Sequence, residues 1–226
     1  MTHERWTQVD RYLTDLLIPQ DAVLEETLRR SEEAGLPSIQ VSPNQGKMLS
    51  LLARAQGART ILEIGTLGGY STIWLARGLP PGGRLVTLEL SRKHAEVARS
   101  NFELAGLAGV IDLRVGRASE TLAGLAAEDR QPFDFIFIDA DKPSTADYFR
   151  QVLDLSRLGT LIVVDNVVRN GAVIDPESDD VNVLGIRRFF EAAATEPRVD
   201  TTVIQTVGSK GYDGLSFALV VAEAQD

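Results

Sequence analysis

Asp139, Asp165 and Asn166 are the residues whose types and spacing most directly suggest chemistry. Asp139 closes the apolar run Phe133-Asp134-Phe135-Ile136-Phe137-Ile138, and Asp165-Asn166 close Leu161-Ile162-Val163-Val164. Two carboxylates and an amide carbonyl form an all-oxygen donor set. Such a set suits Mg²⁺, Mn²⁺ or Ca²⁺ and leaves positions open for water or substrate. Acids at the ends of apolar strands must be satisfied by something. Helix capping would account for one of them, whereas three donors from two strand ends favour a metal. Lys142 follows Asp139 by three residues. A cleft and a bound cation beside it would favour its neutral form, in which it can act as a base. The competing reading is an exposed loop lysine.

A second group of residues points to a nucleotide-like ligand. The run from Thr60 to Ile64 leads into Glu63-Ile64-Gly65-Thr66-Leu67-Gly68-Gly69-Tyr70-Ser71. Glycines after a first buried strand let backbone approach a ligand at the carboxyl edge of a sheet. The spacing is not Gly-x-Gly-x-x-Gly, because Leu67 holds the place of the second glycine, and this weighs against an NAD-dependent dehydrogenase. Glu63 would repel a pyrophosphate but can pair with a cationic amino group, which favours a cofactor with an amino-acid tail such as S-adenosylmethionine. The bland alternative is an ordinary strand-to-helix turn. Glu89 ends the next strand, where an acid can accept both ribose hydroxyls. Gly116-Arg117-Ala118-Ser119-Glu120 ends the third, where backbone and Ser119 can face an adenine or Ser119 can simply cap a helix.

These residues need a scaffold that brings strand ends together, and the chain has the βαβ rhythm that supplies one. Apolar runs at Thr60 to Ile64, Arg84 to Leu88, Ile111 to Val115, Phe133 to Ile138 and Thr160 to Val164 alternate with helix-length polar segments. Strands apolar at nearly every position are buried on both faces, as parallel strands between helices must be. A doubly wound α/β fold is expected. Ser91 is placed to cap a helix that Gly106 stops, and Ala146 to Leu158 reads as a helix ending at Gly159. Three helices are expected before the first strand: Thr7 to Leu17, Asp21 to Gly35 and Pro43 to Gln56. In the middle one Glu25-Glu26 and Arg29-Arg30 stand at i,i+4 spacing, which reads as a solvated face. Beyond Asn166, a helix near Leu184 to Ala194 precedes two final runs, Thr201 to Val207 and Leu215 to Ala222. Gly208 to Gly214 between them reads as a hairpin loop, which adds one antiparallel strand. His3, near a fraying terminus, and His94 read as solvated, and Trp6 and Trp74 as packing residues.

Composition narrows the function. With 226 residues, 44% of them hydrophobic, the chain can bury the core of one domain. Residues 1–57 would form an N-terminal helical part and 58–226 the α/β core. A net charge of -9 argues against a broad nucleic-acid surface. The absence of cysteine removes disulfides, thiolate zinc and a Cys nucleophile. No apolar run approaches the ~18 residues of a membrane span, so a soluble, cytoplasmic protein is expected.

Taken jointly and in order, Glu63-Ile64-Gly65-x-x-x-Gly69-Tyr70-Ser71, Glu89, Phe133 to Lys142 with Asp139-Ala140-Asp141-Lys142, Asp165-Asn166 with Gly171, and Tyr212-Asp213-Gly214 resemble the cation-dependent O-methyltransferases that include catechol and caffeoyl-CoA O-methyltransferases. The resemblance spans almost the whole chain. It implies a Rossmann-like, seven-stranded, mostly parallel sheet with an antiparallel C-terminal strand and N-terminal helices. It implies S-adenosylmethionine as cofactor, Asp139, Asp165 and Asn166 as ligands of a divalent cation, foremost Mg²⁺, and Lys142 with Asp139 as the catalytic pair. Glu89 would hold the ribose. Glu63, Gly65, Thr66, Tyr70 and Ser71 would line the methionine end, with Val41, Ala118 and Asp139 also touching cofactor. The implied acceptor is a vicinal dihydroxy aromatic and the implied assembly a homodimer. One branch of the family methylates a hydroxylated tRNA uridine, which the net acidity disfavours. Val207-Gly208-Ser209-Lys210-Gly211 departs from the apolar-Pro stretch of the plant members, and no basic cluster offers itself to a CoA thioester.

Overall fold

The computed structural model describes residues 2–128 and 131–223. Three helices come first: α1 (His3–Leu17), α2 (Ala22–Glu33) and α3 (Pro43–Ala55). The alternating part follows as β1 (Thr60–Ile64), α4 (Tyr70–Ala76), β2 (Arg84–Glu89), α5 (Arg92–Leu104), β3 (Ile111–Val115), α6 (Ala118–Ala126), β4 (Phe133–Ile138), α7 (Thr145–Leu153), β5 (Ser156–Asp165), α8 (Val181–Thr195), β6 (Val199–Gly208) and β7 (Gly211–Val220). Short 3₁₀ turns occupy Lys142–Ser144 and Arg169–Ile174. Among the described residues no helix is long and apolar enough to cross a membrane.

The sheet has seven strands in the order β3-β2-β1-β4-β5-β7-β6. Strands β1 to β5 pair in parallel, and β7 pairs antiparallel with both β5 and β6. Alternate side chains of each strand enter two cores. Leu62, Ile64, Ile136 and Ile138 meet Leu122, Phe149, Val152 and Phe189 from α6 to α8. Ile61, Phe135 and Phe137 meet Leu24, Leu49, Ile73 and Phe102 from α2 to α5. Burial on both faces is why these strands read as continuous apolar runs. The order reverses between β1 and β4, and doubly wound sheets bind ligands beyond the carboxyl ends at such a reversal. Ile64 is aligned with Leu88 and with Ile138, and Ile138 with Val164. The next residues, Gly65, Glu89, Asp139 and Asp165, therefore emerge at one edge.

Four local expectations change. The helix expected over Ala146 to Leu158 ends at Leu153, and β5 begins at Ser156, so Gly159 lies inside a strand. Its φ of 86° and the register shift between Phe133 and Phe135 mark an irregularity in the β4–β5 ladder, not a helix stop. Thr160 repairs the ladder there, its Oγ1 donating to the Phe133 carbonyl (2.7 Å) and accepting from the Arg157 N–H (2.9 Å). The Gly208 to Gly214 loop contracts to the turn Ser209-Lys210, because Val207 pairs with Tyr212 and Gln205 with Gly214 in a continuous ladder. Arg117, which makes no capping bond with its side chain, is the N-cap of α6, and this leaves Ser119 inside the helix. His3 opens α1, with Nε2 lying 3.2 Å from the Ser209 carbonyl oxygen.

Ser91 caps α5 as expected, its Oγ accepting from the His94 N–H. The charged face of α2 is knitted to itself. Arg30 bonds Glu26 at 2.8 Å, whereas Arg29 pairs with Glu26 and Glu33 in place of Glu25. Trp74 is buried, packed so closely on α3 that a Cβ on Gly46 would meet its ring at 2.3 Å.

Candidate functional site

A cavity of about 910 Å³ opens along the carboxyl ends of β1 to β5. Val41, Gly65, Thr66, Tyr70, Ser71, Glu89, Ala118, Asp139, Lys142 and Asn166 all line it. Glu63 and Asp165 stand behind the wall.

At the glycine turn, close approach is a steric requirement. Gly65 has φ 101°, and a Cβ there would stand 2.0 Å from the Asp139 carbonyl oxygen. Leu67, in the place of the second glycine, adopts a left-handed φ of 52°. Such backbone is costly for a residue with a Cβ and persists where surroundings impose it. Glu89 imposes it here. One carboxylate oxygen accepts the Thr66 and Leu67 N–H groups (3.3 and 2.8 Å), and the other accepts the Ser91 N–H (2.8 Å). The loop between β1 and α4 is thereby pinned to the end of β2.

Glu63 corrects an expectation. The carboxylate thought to meet a cationic tail directly is fully buried and hydrogen-bonded to the Ser71, Thr72 and Thr87 hydroxyls. Ser71 donates at 2.7 Å and also lines the cavity, so Glu63 reaches the ligand space through that hydroxyl. Burial pushes the Glu63 carboxyl up to about 7 in spite of its three donors.

The β4 and β5 ends are less settled. Lys142, buried, donates from Nζ to Asp139 Oδ1 (2.9 Å) and to the Asp165 carbonyl oxygen (3.1 Å). Asp165 accepts the Gln45 amide on Oδ2 and the Asn166 N–H on Oδ1, both at 2.7 Å. Burial, then the negative charge of Asp139, raises its carboxyl, with Lys142 opposing. Asn166, at φ 58°, holds a left-handed turn that brings its side chain to the cavity wall. Among the described residues no group of three or more His, Cys, Asp and Glu side chains could hold a metal ion. A cation bound here would draw on the Asp139 and Asp165 carboxylates and the Asn166 amide. That donor set fits a hard divalent cation, since two close carboxylates face a single lysine charge. Lys142 is held from below, where a Cβ on Gly185 of α8 would lie 2.2 Å from its carbonyl oxygen.

The sequence reading did not include several wall residues. Gln45, on α3, acts across 120 positions of sequence. His94, expected to be solvated, lines the cavity with Nδ1 3.4 Å from Glu89 Oε1, because capping by Ser91 turns the first residues of α5 back toward the strand end. Tyr148, Arg169 and Asn182 also line it, and the Tyr148 hydroxyl donates to Asp141 at 2.6 Å. None of these belongs to a local motif. Only the position of Arg169, three residues past Asn166, offered a signal.

Comparison with known proteins agrees with this geometry. A family model described as O-methyltransferase matches residues 17–219. A catechol O-methyltransferase of Niastella koreensis is 50% identical over 220 residues, covering 97% of this chain and all of the relative. A caffeoyl-CoA O-methyltransferase of Zea mays is 36% identical over 169 residues, 70% of this chain and 65% of the relative. An O-methyltransferase from Bacillus cereus, solved in complex with S-adenosylhomocysteine (SAH), superposes with a TM-score of 0.96 at 59% identity, covering 97% of this chain and 100% of that one. The sheet order is that of the class I methyltransferase fold, and with the family model and these relatives in agreement, the chain belongs to the O-methyltransferase family.

Proposed function

We propose that this O-methyltransferase transfers a methyl group from S-adenosylmethionine to one hydroxyl of a vicinal dihydroxy aromatic, with a divalent cation, Mg²⁺ foremost, held by Asp139, Asp165 and Asn166. The observation that carries the reading is the continuity of one cavity from the glycine turn and Glu89 to Asp139, Lys142 and Asn166. The Bacillus cereus complex with SAH supports the cofactor, and the Niastella koreensis catechol enzyme supports the acceptor class. The whole chain would act as one methyltransferase domain, in the cytoplasm.

In this reading Glu89 accepts the ribose hydroxyls, while Gly65, Thr66, Tyr70, Ser71 and Val41 enclose the methionine end and Ala118 borders the adenosine. Glu63 fixes the Ser71 hydroxyl. When bound, the cation would act as a Lewis acid that lowers the pKa of the reacting hydroxyl from roughly 10. Lys142 then takes the hydroxyl proton on Nζ, and the acceptor oxygen attacks the methyl group in line with the departing sulfur. No covalent enzyme intermediate is needed, in keeping with a chain that has no cysteine.

Labelled S-adenosylmethionine offered with a catechol panel, a CoA ester and undermodified tRNA, with and without EDTA, tests the proposal. Label in a chelator-sensitive catechol product is expected. Label confined to tRNA would overturn the acceptor class, and full activity after rigorous chelation would overturn the metal. We also propose a homodimer. On α1, Tyr12, Leu16 and Leu17 are 66%, 64% and 63% exposed, apolar surface that a second copy would cover. Light scattering at micromolar concentration should give twice the chain mass, and a monomer would refute it.

A further inference from the structure

Arg169 and Arg117 are the arginines that line the cavity among the described residues. Arg77, Arg114, Arg157 and Arg198 are each tied to a carboxylate. Arg117, which also lines the cavity, faces Glu120 at 3.6 Å and is largely exposed. Arg169 lines the same cavity beside Asn166 and Lys142, yet its Nε is buried without a hydrogen-bond partner, and among the described residues no carboxylate forms an ion pair with it. Asp180 feels its charge, but the Asp180 carboxyl is lowered first by bonds from Asn182 and only later by Arg169.

The backbone is shaped to keep the side chain there. Arg169 and Asn170 both have left-handed φ values, 56° and 55°. The Asp213 carboxylate holds the turn by accepting the Val168, Arg169 and Gly214 N–H groups on one oxygen, each at 2.9 Å. Two successive non-glycine residues in this region are costly, and such conformations gather at ligand-binding sites. The surrounding cavity wall carries Glu89, Asp139, Asp141 and Asp147. Arg169 as a whole is only half-buried, so the part of its guanidinium that faces the cavity is free to meet a planar anion, and its N–H fork matches a carboxylate.

We propose that Arg169 determines acceptor specificity by binding a carboxylate on the aromatic diol, so that the preferred acceptors are dihydroxybenzoate- or dihydroxycinnamate-like acids. The inference rests on the diol reading of the cavity given above. Anchoring the acid at one end of the ring also selects which hydroxyl stands in line with the methyl group. Arg169 thus governs regiochemistry as well as affinity.

The test compares 3,4-dihydroxybenzoate, its methyl ester and 4-methylcatechol in the wild type, Arg169→Gln and Arg169→Lys, with SAH affinity and thermal melting measured alongside. In Arg169→Gln, kcat/KM for the acid should fall roughly 10- to 100-fold, as for loss of a charge-assisted hydrogen bond. Most of that loss should lie in KM. The two neutral diols should change less than about threefold, and the ratio of the two monomethyl products of the acid should move toward parity. Arg169→Lys, which keeps the charge and loses the fork, should fall between. If Arg169→Gln fails to fold, the Lys variant still separates acid from neutral acceptors. Equal losses for acid and neutral diols overturn the proposal, as does a loss of SAH affinity, which would assign Arg169 to the cofactor carboxylate. Wild-type turnover of the neutral diols with no preference for the acid overturns it alone, whereas no turnover of any diol overturns the underlying reading too.

Discussion

The carboxylates at the ends of β1 and β2 are held by more of the surrounding fold than those at the ends of β4 and β5, where Lys142 bonds Asp139 while Gln45 and Asn166 bond Asp165. Glu63 meets three hydroxyls and Glu89 three backbone N–H groups, all supplied by the surrounding turn, strand and helices. Lys142 bonds the Asp139 carboxylate and the Asp165 backbone carbonyl, and burial, then the negative charge of Asp139, raises the Asp165 carboxyl. The first pair shapes a pocket before any ligand arrives. At the second, the buried Asp165 carboxyl is raised beside the half-buried Asp139, and a cation held there would oppose that shift. A ligand entering this cavity therefore meets one end already bonded into the fold and, in the proposed function, another that a cation would complete.

Breaking the second pair should have the largest effect. Asp165→Ala removes a predicted metal ligand and the partner of Gln45, and turnover should fall at least about 10³-fold as acceptor positioning and pKa lowering are lost together. Excess Mg²⁺ should restore EDTA-treated wild type but not the variant. Calorimetry should still show SAH bound to both, because the β1–β2 end is untouched. A variant that Mg²⁺ restores would remove Asp165 from the metal site.

Glu63 provides the corresponding test at the satisfied end, read as stability. Its carboxyl rises from 4.5 to about 7 in the fold, so between those values the folded chain keeps a proton that the unfolded chain releases. Protons bound by the folded state favour it at low pH. This contribution is present below about pH 4.5 and lost as pH rises through 7, at a cost of about 3 kcal/mol. Glu63→Gln should flatten the fall in Tm between pH 5 and 8 at fixed metal concentration. An unchanged slope would show that Glu63 does not titrate there.

Lys142 Nζ bridges the Asp139 carboxylate and the Asp165 backbone carbonyl, and its removal separates proton transfer from a structural role. Lys142→Ala should retain metal-dependent acceptor binding yet lose about 10²-fold in rate, with partial recovery at high pH as the acceptor ionises unaided. A uniform loss at every pH would assign Lys142 to holding the carboxylates and not to moving a proton.

What the sequence made legible follows from which groups act locally. Asp139, Asp165 and Glu89 stood out because each interrupts an apolar run, and the runs were apolar because both faces of the sheet are covered. Gly159 misled because a helix stop and a sheet irregularity ask the same positive φ of glycine. The hydroxyls that enclose Glu63 come from α4 and β2, so its residue type was visible and its environment was not. Gln45 matters only through a contact that tertiary packing creates and carries no periodic or motif signal, and Arg169 offered only its position three residues past Asn166.

Glu89 gives the smallest expected effect and the sharpest reading of the preformed end. If it accepts the ribose hydroxyls, Glu89→Ala should weaken SAH by about 2 kcal/mol, the loss of charge-assisted bonds. The same carboxylate also holds Thr66 and Leu67, so part of that loss could come from a slackened turn. Glu89→Gln separates the two causes. Its amide oxygen can still accept the backbone N–H groups, while only one acceptor remains where the carboxylate had two. Affinity for SAH lost in both variants, with proteolytic sensitivity of the 65–69 turn raised only in Glu89→Ala, would assign the energy to the ribose. Full affinity in Glu89→Gln would assign it to the turn.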